Sequence, residues 1–165
     1  MIELISEAAG FLQGKIRRTP VEYSVGLSDI LGVPVWLKLE SLQLTGSFKI
    51  RGAMFAISKL NGNVITCSAG NHGKAVAYVA RGATICVPRS VDQSKLDAMV
   101  RMGADVRISE FDGYDETQDW AMEMAAREKK YFLSPFDDDA VMAANIDGYT
   151  YQFYRQADFR DLKRI

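Results

Sequence analysis

An unbroken run of β-branched and apolar residues, followed by a small-residue turn and a helical pattern, is the feature that most limits how this chain can fold. The run is Val64–Cys67, the turn covers residues 68–73, and the helical pattern covers residues 74–80. A short apolar strand without alternation is typical of a parallel sheet buried on both faces. Because strands and helices continue to alternate to residue 133, the sequence predicts an α/β fold: a parallel sheet with helices on both faces, in three layers.

The other elements are predicted from periodicity and from the residues that end them. Pro88 stops one strand, and Gly103 closes one helix. The acidic residues 137–139 are interpreted as the N-cap of a helix that begins near Ala140 rather than as a cation site. The predicted helices cover residues 2–11, 49–60, 93–102 and 114–129, and the predicted strands cover residues 35–39, 84–87, 106–108 and 131–133.

One lysine is placed at the start of a predicted helix. The turn Leu-Thr-Gly-Ser-Phe, residues 44–48, comes directly before Lys49. The positive field at a helix N-terminus favours the neutral amine over the ammonium ion. A neutral amine is the nucleophile that Schiff-base chemistry requires. The same spacing is also typical of a solvated surface lysine, and both interpretations stay open at this point.

The turn at residues 68–73 has the composition of an anion site. It joins a strand to a helix N-terminus, where backbone N–H groups point outward. Its glycines permit close approach of a ligand, while Ser68 and Asn71 offer side-chain hydrogen bonds. An ordinary strand-to-helix turn has the same pattern. A nucleotide-binding loop is disfavoured, because the spacing Gly-x-Gly-x-x-Gly is absent and no acidic residue ends the strand Thr84–Val87.

Composition and charge narrow the class of protein. With 20 basic and 21 acidic residues the formal net charge is −1, which gives no electrostatic basis for binding nucleic acid or an anionic membrane. No apolar run approaches a membrane span and the N-terminus lacks a signal-peptide pattern, so we expect a cytoplasmic protein. Cys67 and Cys86 lie in predicted strands and are expected to be reduced core residues. Together with the single histidine, His72, they form no metal-ligand cluster.

Two long motifs carry a family resemblance. Residues 41–53 (Ser-Leu-Gln-Leu-Thr-Gly-Ser-Phe-Lys-Ile-Arg-Gly-Ala), followed by residues 68–73 (Ser-Ala-Gly-Asn-His-Gly), closely resemble the serine/threonine dehydratase group. These are pyridoxal-phosphate (PLP) dependent enzymes of amino-acid metabolism, of fold type II, the tryptophan synthase β-like fold. Residues 18–20 (Arg-Thr-Pro) and 134–138 (Ser-Pro-Phe-Asp-Asp) fit the same pattern.

The resemblance implies a domain organisation. Residues 1–48 would be the N-terminal elements of a large PLP domain, and residues 49–145 would form the small α/β domain. Residues 146–165 no longer resemble the family and are predicted to be a divergent C-terminal tail.

The resemblance also implies roles for individual residues. Lys49 matches the catalytic lysine, which forms a Schiff base with PLP and removes the α-proton of the substrate. Phe48 matches an aromatic residue beside the cofactor, and Asn71 matches the residue that hydrogen-bonds the cofactor's ring hydroxyl. The loop that matches the family's substrate-carboxylate site consists of Ser68, Ala69, Gly70, Asn71 and His72.

Ala69 bears on the reaction that the resemblance implies. Racemases of this group resemble the chain but carry serine here, which supplies a proton to the opposite face of the α-carbon. Alanine has no proton to give. A single base at Lys49 suits β-elimination, in which the hydroxyl of a small hydroxy amino acid leaves, an aminoacrylate forms, and water hydrolyses it to a 2-oxo acid and ammonia. We therefore expect a serine/threonine dehydratase-like ammonia-lyase.

By comparison with this family, we expect the chain to lack a C-terminal half. No run of four glycines, the family's phosphate loop, occurs in the 165 residues. The apolar residues Val35, Trp36, Leu37 and Leu39 would then need another partner, and we expect a homo-oligomer. The alternative is a truncated or engineered non-catalytic fragment that keeps the fold without binding PLP stably.

Overall fold

Strands and helices alternate along the chain in the computed structural model, which describes residues 1–60 and 63–146. The strands in these residues are β1 (Val21–Tyr23), β2 (Trp36–Lys38), β3 (Val64–Cys67), β4 (Thr84–Val87), β5 (Asp105–Ile108) and β6 (Tyr131–Phe132). The helices are α1 (Ile2–Leu12), α2 (Val25–Leu31), α3 (Lys49–Ser58), α4 (Asn71–Val79), α5 (Gln93–Arg101), α6 (Tyr114–Glu128) and α7 (Asp139–Ile146), and a short 3₁₀ helix covers Glu40–Leu42.

Four strands form one sheet in the order β5-β4-β3-β6, and every neighbouring pair is parallel. All residues of β3 and β4 are buried, as their apolar composition predicted. A buried side-chain bond adds to the pairing of β3 with β6, since Thr66 Oγ1 donates to the Leu133 carbonyl at 2.8 Å. The predicted parallel sheet is confirmed.

Helices cover both faces of this sheet. On one face Val64 packs among residues of α3, α4 and α7, including Ile50, Val76 and Val141. On the other face Cys67 packs with residues of α6 such as Met124. Helix α5 joins the first face, where it contributes a fully buried methionine. The three-layer arrangement is therefore confirmed, and β3 contributes buried residues to the cores on both faces of the sheet.

The N-terminal part departs from the predicted pattern. The strand predicted over residues 35–39 does not join the parallel sheet. It is shortened to β2 and pairs antiparallel with β1, forming a separate two-stranded sheet. Tyr23 and Trp36 pack edge to face there, with ring centroids 5.3 Å apart. Neither β1, which has three residues, nor the seven-residue α2 is long enough to give a clear periodic signal.

Several local predictions can be checked in the described residues. Asp138 caps α7, accepting a hydrogen bond from the Val141 N–H at 2.9 Å, as the acidic run indicated. Cys67 and Cys86 are free and buried, and burial raises their thiol pKa values to about 12 and about 11. Within residues 1–60 and 63–146, no helix combines the length and apolar character needed to cross a membrane. Residues 147–165 of the predicted tail lie outside the described residues.

Gly52 permits the close approach of α3 to α7. A Cβ at this position would lie 2.8 Å from Val141 Cγ1 and 2.9 Å from the Val141 carbonyl oxygen. We expect Gly52→Ala to lower the free energy of unfolding by about 1–3 kcal/mol, although alanine is the better helix former. Gly10→Ala in α1 is the control: nothing lies within 4 Å of the added Cβ, and a gain of about 0.5–1 kcal/mol is expected. Urea unfolding of both variants measures the difference, and equal effects would contradict the packing argument.

The homo-oligomer remains a prediction. Val35, Trp36 and Leu39 are half-buried, and Leu37 is 37% exposed. On α2, Ile30 is 79% exposed. We expect size-exclusion chromatography with light scattering to give a mass above the 18.4 kDa of one chain. A clean 18.4 kDa species at high concentration would count against self-association.

Candidate functional site

A cleft of about 270 Å³ lies where β3 and β6 end. Ligands bind at the carboxyl ends of strands in open parallel sheets, because loops from neighbouring strands meet there. The residues that line it come from the start of α3, the end of β3, the turn into α4, the start of α6 and the segment after β6. They are Lys49, Cys67, Ser68, Ala69, Gly70, Asn71, His72, Tyr114, Pro135 and Phe136.

Lys49 is the first residue of α3 and directs its amine into this cleft. Its Nζ donates a hydrogen bond to the Pro135 carbonyl at 3.0 Å. The same atom lies 5.4 Å from the ring centroid of Phe48 and 5.0 Å from that of Phe136. Burial lowers the pKa of the Lys49 amine from its ordinary value, because the charged form loses solvation. The neutral, nucleophilic form is therefore more accessible than in a surface lysine.

The turn between β3 and α4 is held in shape by its own hydrogen bonds. The Ser68 hydroxyl oxygen accepts from the backbone N–H of Gly70 at 3.3 Å and of Gly73 at 3.0 Å. It thereby satisfies one N–H of the first turn of α4, whose N-cap residue is Gly70, a use of Ser68 that the sequence analysis did not anticipate. A Cβ at Gly73 would lie 2.7 Å from the Ser68 carbonyl oxygen and 2.8 Å from Met99 Sδ, so glycine is required for this contact. The turn is a preformed helix N-terminus facing the cleft.

His72 is buried in the first turn of α4, with 3% of its surface exposed. Within the described part of the chain, neither ring nitrogen makes a hydrogen bond of good geometry, although the Leu133 backbone lies close enough to act on the ring. Burial lowers the His72 pKa to about 3, and the nearby charge of Lys49 acts in the same direction, while the Leu133 backbone opposes both. At neutral pH the imidazole is uncharged and carries one donor and one acceptor nitrogen.

Tyr114, Pro135, Phe136 and Cys67 line the cleft but were not predicted to belong to the site. The Tyr114 hydroxyl lies 2.9 Å from Gln118 Oε1 and 3.4 Å from the Cys67 carbonyl oxygen, and it donates to these acceptors. The rings of Tyr114 and Phe136 meet edge to face at 6.2 Å. Burial raises the Tyr114 pKa to about 12, so the phenol stays protonated. The Pro-Phe motif after β6 was visible in the sequence, but its place in the site depends on β6 being the neighbour of β3.

The structure brings most of the predicted site residues together. Those that share the cleft are Lys49, Ser68, Ala69, Gly70, Asn71 and His72. Phe48 packs beside the Lys49 amine and is not itself part of the lining. The individual roles assigned to these residues remain predictions.

Comparison with known proteins places the chain in a family. The sequence profile of pyridoxal-phosphate dependent enzymes matches residues 12–164. The chain belongs to this family. The match covers nearly all of its length and includes both motifs on which the resemblance was based.

The curated relatives of the chain include enzymes that are named as acting on L-threonine. It is 38% identical over 151 residues to the L-threonine ammonia-lyase of Thermotoga maritima, covering 86% of this chain and 37% of the relative. It is 39% identical over 149 residues to a catabolic L-threonine dehydratase of Staphylococcus aureus, covering 84% of this chain and 43% of the relative. The chain thus spans less than half the length of these curated relatives.

Solved structures confirm the fold type II architecture. Threonine deaminase isoform 2 of Solanum lycopersicum superposes with a TM-score of 0.85 at 30% identity, over 95% of this chain and 48% of that chain. A serine racemase of Dictyostelium discoideum superposes with a TM-score of 0.83 at 27% identity, over 96% of this chain and 54% of that chain. A deaminase and a racemase thus share this fold, so the fold alone does not select the reaction.

The family's cofactor is pyridoxal phosphate, and the cleft residues fit it. The cofactor's aldehyde needs a primary amine that can lose its proton, and the half-buried Lys49 with its lowered pKa is such an amine. The buried, uncharged His72 offers unused polar atoms beside it. Lys49 would hold the aldehyde carbon, with Asn71 and Phe48 as the further contacts that the resemblance implies.

The buried neutral His72 gives a pH dependence with a definite sign. The unfolded chain binds a proton on this side chain near pH 6.5, whereas the folded chain does so only near pH 3. Protonation therefore favours unfolding in this interval, and the contribution of His72 to stability falls by about 1.4 kcal/mol per pH unit as the pH is lowered through it. Because His72 is the single histidine, its NMR signal needs no assignment in an untagged protein.

We expect no His72 titration between pH 5 and pH 8 in the folded protein. Urea unfolding at pH 5 and pH 7 should show a weaker pH dependence for His72→Gln than for the wild type. A His72 midpoint near 6.5 in the NMR titration would contradict the buried, neutral state.

Proposed function

We propose that this chain performs PLP-dependent ammonia-lyase chemistry on a small hydroxy amino acid: β-elimination of water gives an aminoacrylate, which takes up water again and hydrolyses to a 2-oxo acid and ammonia. Lys49 is the Schiff-base lysine and the catalytic base. The observation that carries the proposal is the Lys49 amine itself. It is half-buried, has a lowered pKa, and lies in the same cleft as a preformed helix N-terminus.

Each part of the cleft has a task in this chemistry. Bound PLP supplies an electron sink that makes the α-proton of an amino acid acidic. Lys49 Nζ, when neutral, accepts that proton, and the Pro135 carbonyl orients the amine towards the cleft. The turn at residues 68–72 binds the substrate carboxylate through backbone N–H groups at the start of α4, where the helix dipole favours negative charge.

Elimination is favoured over racemisation by the residues around Lys49. Ala69 lines the cleft and has no exchangeable side-chain proton. The Tyr114 hydroxyl keeps its proton at neutral pH and is directed to Gln118 Oε1 and the Cys67 carbonyl. With alanine at position 69, the place where racemases of the group carry serine has no proton donor. The names of the curated relatives, ammonia-lyase and dehydratase, support the same reaction class.

The test is an absorbance spectrum of the purified chain with added PLP, beside two variants. Lys49→Ala removes the proposed nucleophile, and Lys95→Ala removes an exposed lysine of α5 as the matched control. We expect a visible cofactor band in the wild type and in Lys95→Ala, shifting on addition of L-serine or L-threonine, and no band in Lys49→Ala. Release of 2-oxo acid should fall by about 10²–10⁴-fold in Lys49→Ala.

Two outcomes would contradict the proposal. Absence of the band in the wild type, or its persistence in Lys49→Ala, would favour the alternative that the chain keeps the fold without binding PLP stably. Formation of the D-amino acid without 2-oxo acid, measured by chiral chromatography on the same samples, would favour racemisation over elimination.

A further inference from the structure

A buried ion pair lies two residues beyond Lys49 and has no part in the cleft. Arg51 is fully buried, and its guanidinium forms two parallel hydrogen bonds with the Glu40 carboxylate. Nε donates to Oε2 at 2.9 Å, and Nη2 donates to Oε1 at 2.7 Å. This fork-to-carboxylate arrangement fixes both the distance and the orientation of its partners.

The pair is the centre of a wider polar network in the N-terminal segment. Thr19 Oγ1 donates to Glu40 Oε1 at 2.5 Å, and Lys38 Nζ donates to the Thr19 carbonyl at 2.7 Å. The Gln43 side chain bridges the backbone of Arg17, accepting from its N–H at 2.9 Å and donating to its carbonyl at 2.8 Å. Residues 17–19 and 38–43 are thereby joined to α3.

Glu40 is charged despite its burial. Burial alone would raise the pKa of this carboxyl, but the hydrogen bonds from Arg51 and Thr19 outweigh that effect and lower it. Two opposite charges are therefore held together out of water. Such pairs tend to add little net stability compared with apolar residues of the same size, so a positional role is a natural explanation for keeping one.

The start of α3 has no cap from the side chain of its N-cap residue, Phe48. In the first turn the Arg51 N–H donates to the Phe48 carbonyl at 3.0 Å, and the Gly52 N–H donates to Asn145 Oδ1 of α7 at 3.1 Å. The Arg51 side chain is a second anchor of this turn, and it ties the helix that begins with Lys49 to the N-terminal segment.

We propose that the Glu40–Arg51 pair positions the first turn of α3 and so holds the Lys49 amine at its desolvated place in the cleft. Both are positioning residues, since neither lines the cleft. The inference rests on the proposed function, because the position of the Lys49 amine matters for the chemistry proposed there. Its test needs no cofactor, so this inference and the proposed function can fail separately.

The readout is the pH profile of Lys49 modification by acetic anhydride, quantified for each lysine by mass spectrometry without PLP. The exposed Lys95 is the internal reference in every sample. Of the other titratable groups lining the cleft, His72, with a pKa of about 3, and Cys67 and Tyr114, each with a pKa of about 12, keep their charge from pH 6 to pH 10. A change in the pH midpoint of Lys49 modification therefore reports on the surroundings of the Lys49 amine.

Arg51→Lys keeps the charge but loses the fork, and Thr19→Val removes one outer bond to Glu40. We expect Arg51→Lys to raise the pH midpoint of Lys49 modification by about half a pH unit or more, and Thr19→Val to raise it less. Val64→Ala is the stability control, because it opens a cavity in the core at the amino end of β3, opposite the end that carries the cleft, and leaves the Glu40–Arg51 pair intact. The proposal is overturned if Arg51→Lys leaves the Lys49 profile unchanged, or if Val64→Ala shifts it equally.

The double variant Glu40→Leu/Arg51→Met separates positioning from stability. Removing both charges avoids a buried unpaired ion. The urea concentration at the unfolding midpoint should therefore lie closer to the wild-type value than that of Arg51→Lys does. A raised Lys49 midpoint in this variant supports positioning. Recovery of both the unfolding midpoint and the Lys49 profile shows that the pair only stabilises, which overturns the proposal. Absence of a PLP band in the wild type would contradict the proposed function and would leave the positioning role of the Glu40–Arg51 pair unaffected.

Discussion

Loss of solvation is the physical constraint on which the site depends. Burial lowers the pKa values of Lys49 and His72 and raises those of Tyr114 and Cys67, so each of these groups is pushed towards its neutral form. Because the charged forms of these cleft groups are disfavoured, the cleft suits a ligand that is itself charged. Clusters of perturbed groups at the end of a sheet are typical of functional sites, although structural burial alone can also produce them.

Strand order decides which residues reach that environment. Because β6 pairs with β3, the Pro135 carbonyl lies at 3.0 Å from the Lys49 amine, although the two residues are far apart in sequence. The segment after β6 is fixed locally by Ser134, whose hydroxyl accepts the N–H groups of Phe136 and Asp137. A rigid short segment therefore presents a carbonyl and an aromatic ring to Lys49.

The sequence was informative wherever the signal is local. The apolar strand β3 predicted its own burial, and the turn after it, together with Lys49, predicted most of one wall of the cleft. Pairing between strands is not local, and so nothing in residues 131–136 showed that Phe136 would pack edge to face against Tyr114. The pairing of β1 with β2 was missed for the same reason, and so was the Glu40–Arg51 pair, whose partners come from separate elements.

The contact between Lys49 and Pro135 also has a consequence for the order of folding. The two residues are separated by 86 positions, and so the loop that their contact closes is long. Contacts of such high sequence separation form late, because the entropy of closing the loop must be lost before they contribute. Helices α3 and α4 can form from local interactions, but the cleft between them and β6 is complete only when the last strand docks. We therefore expect the Lys49 amine to stay hydrated, with the ordinary pKa of a solvated amine restored in place of the lowered one, until the sheet behind it is finished.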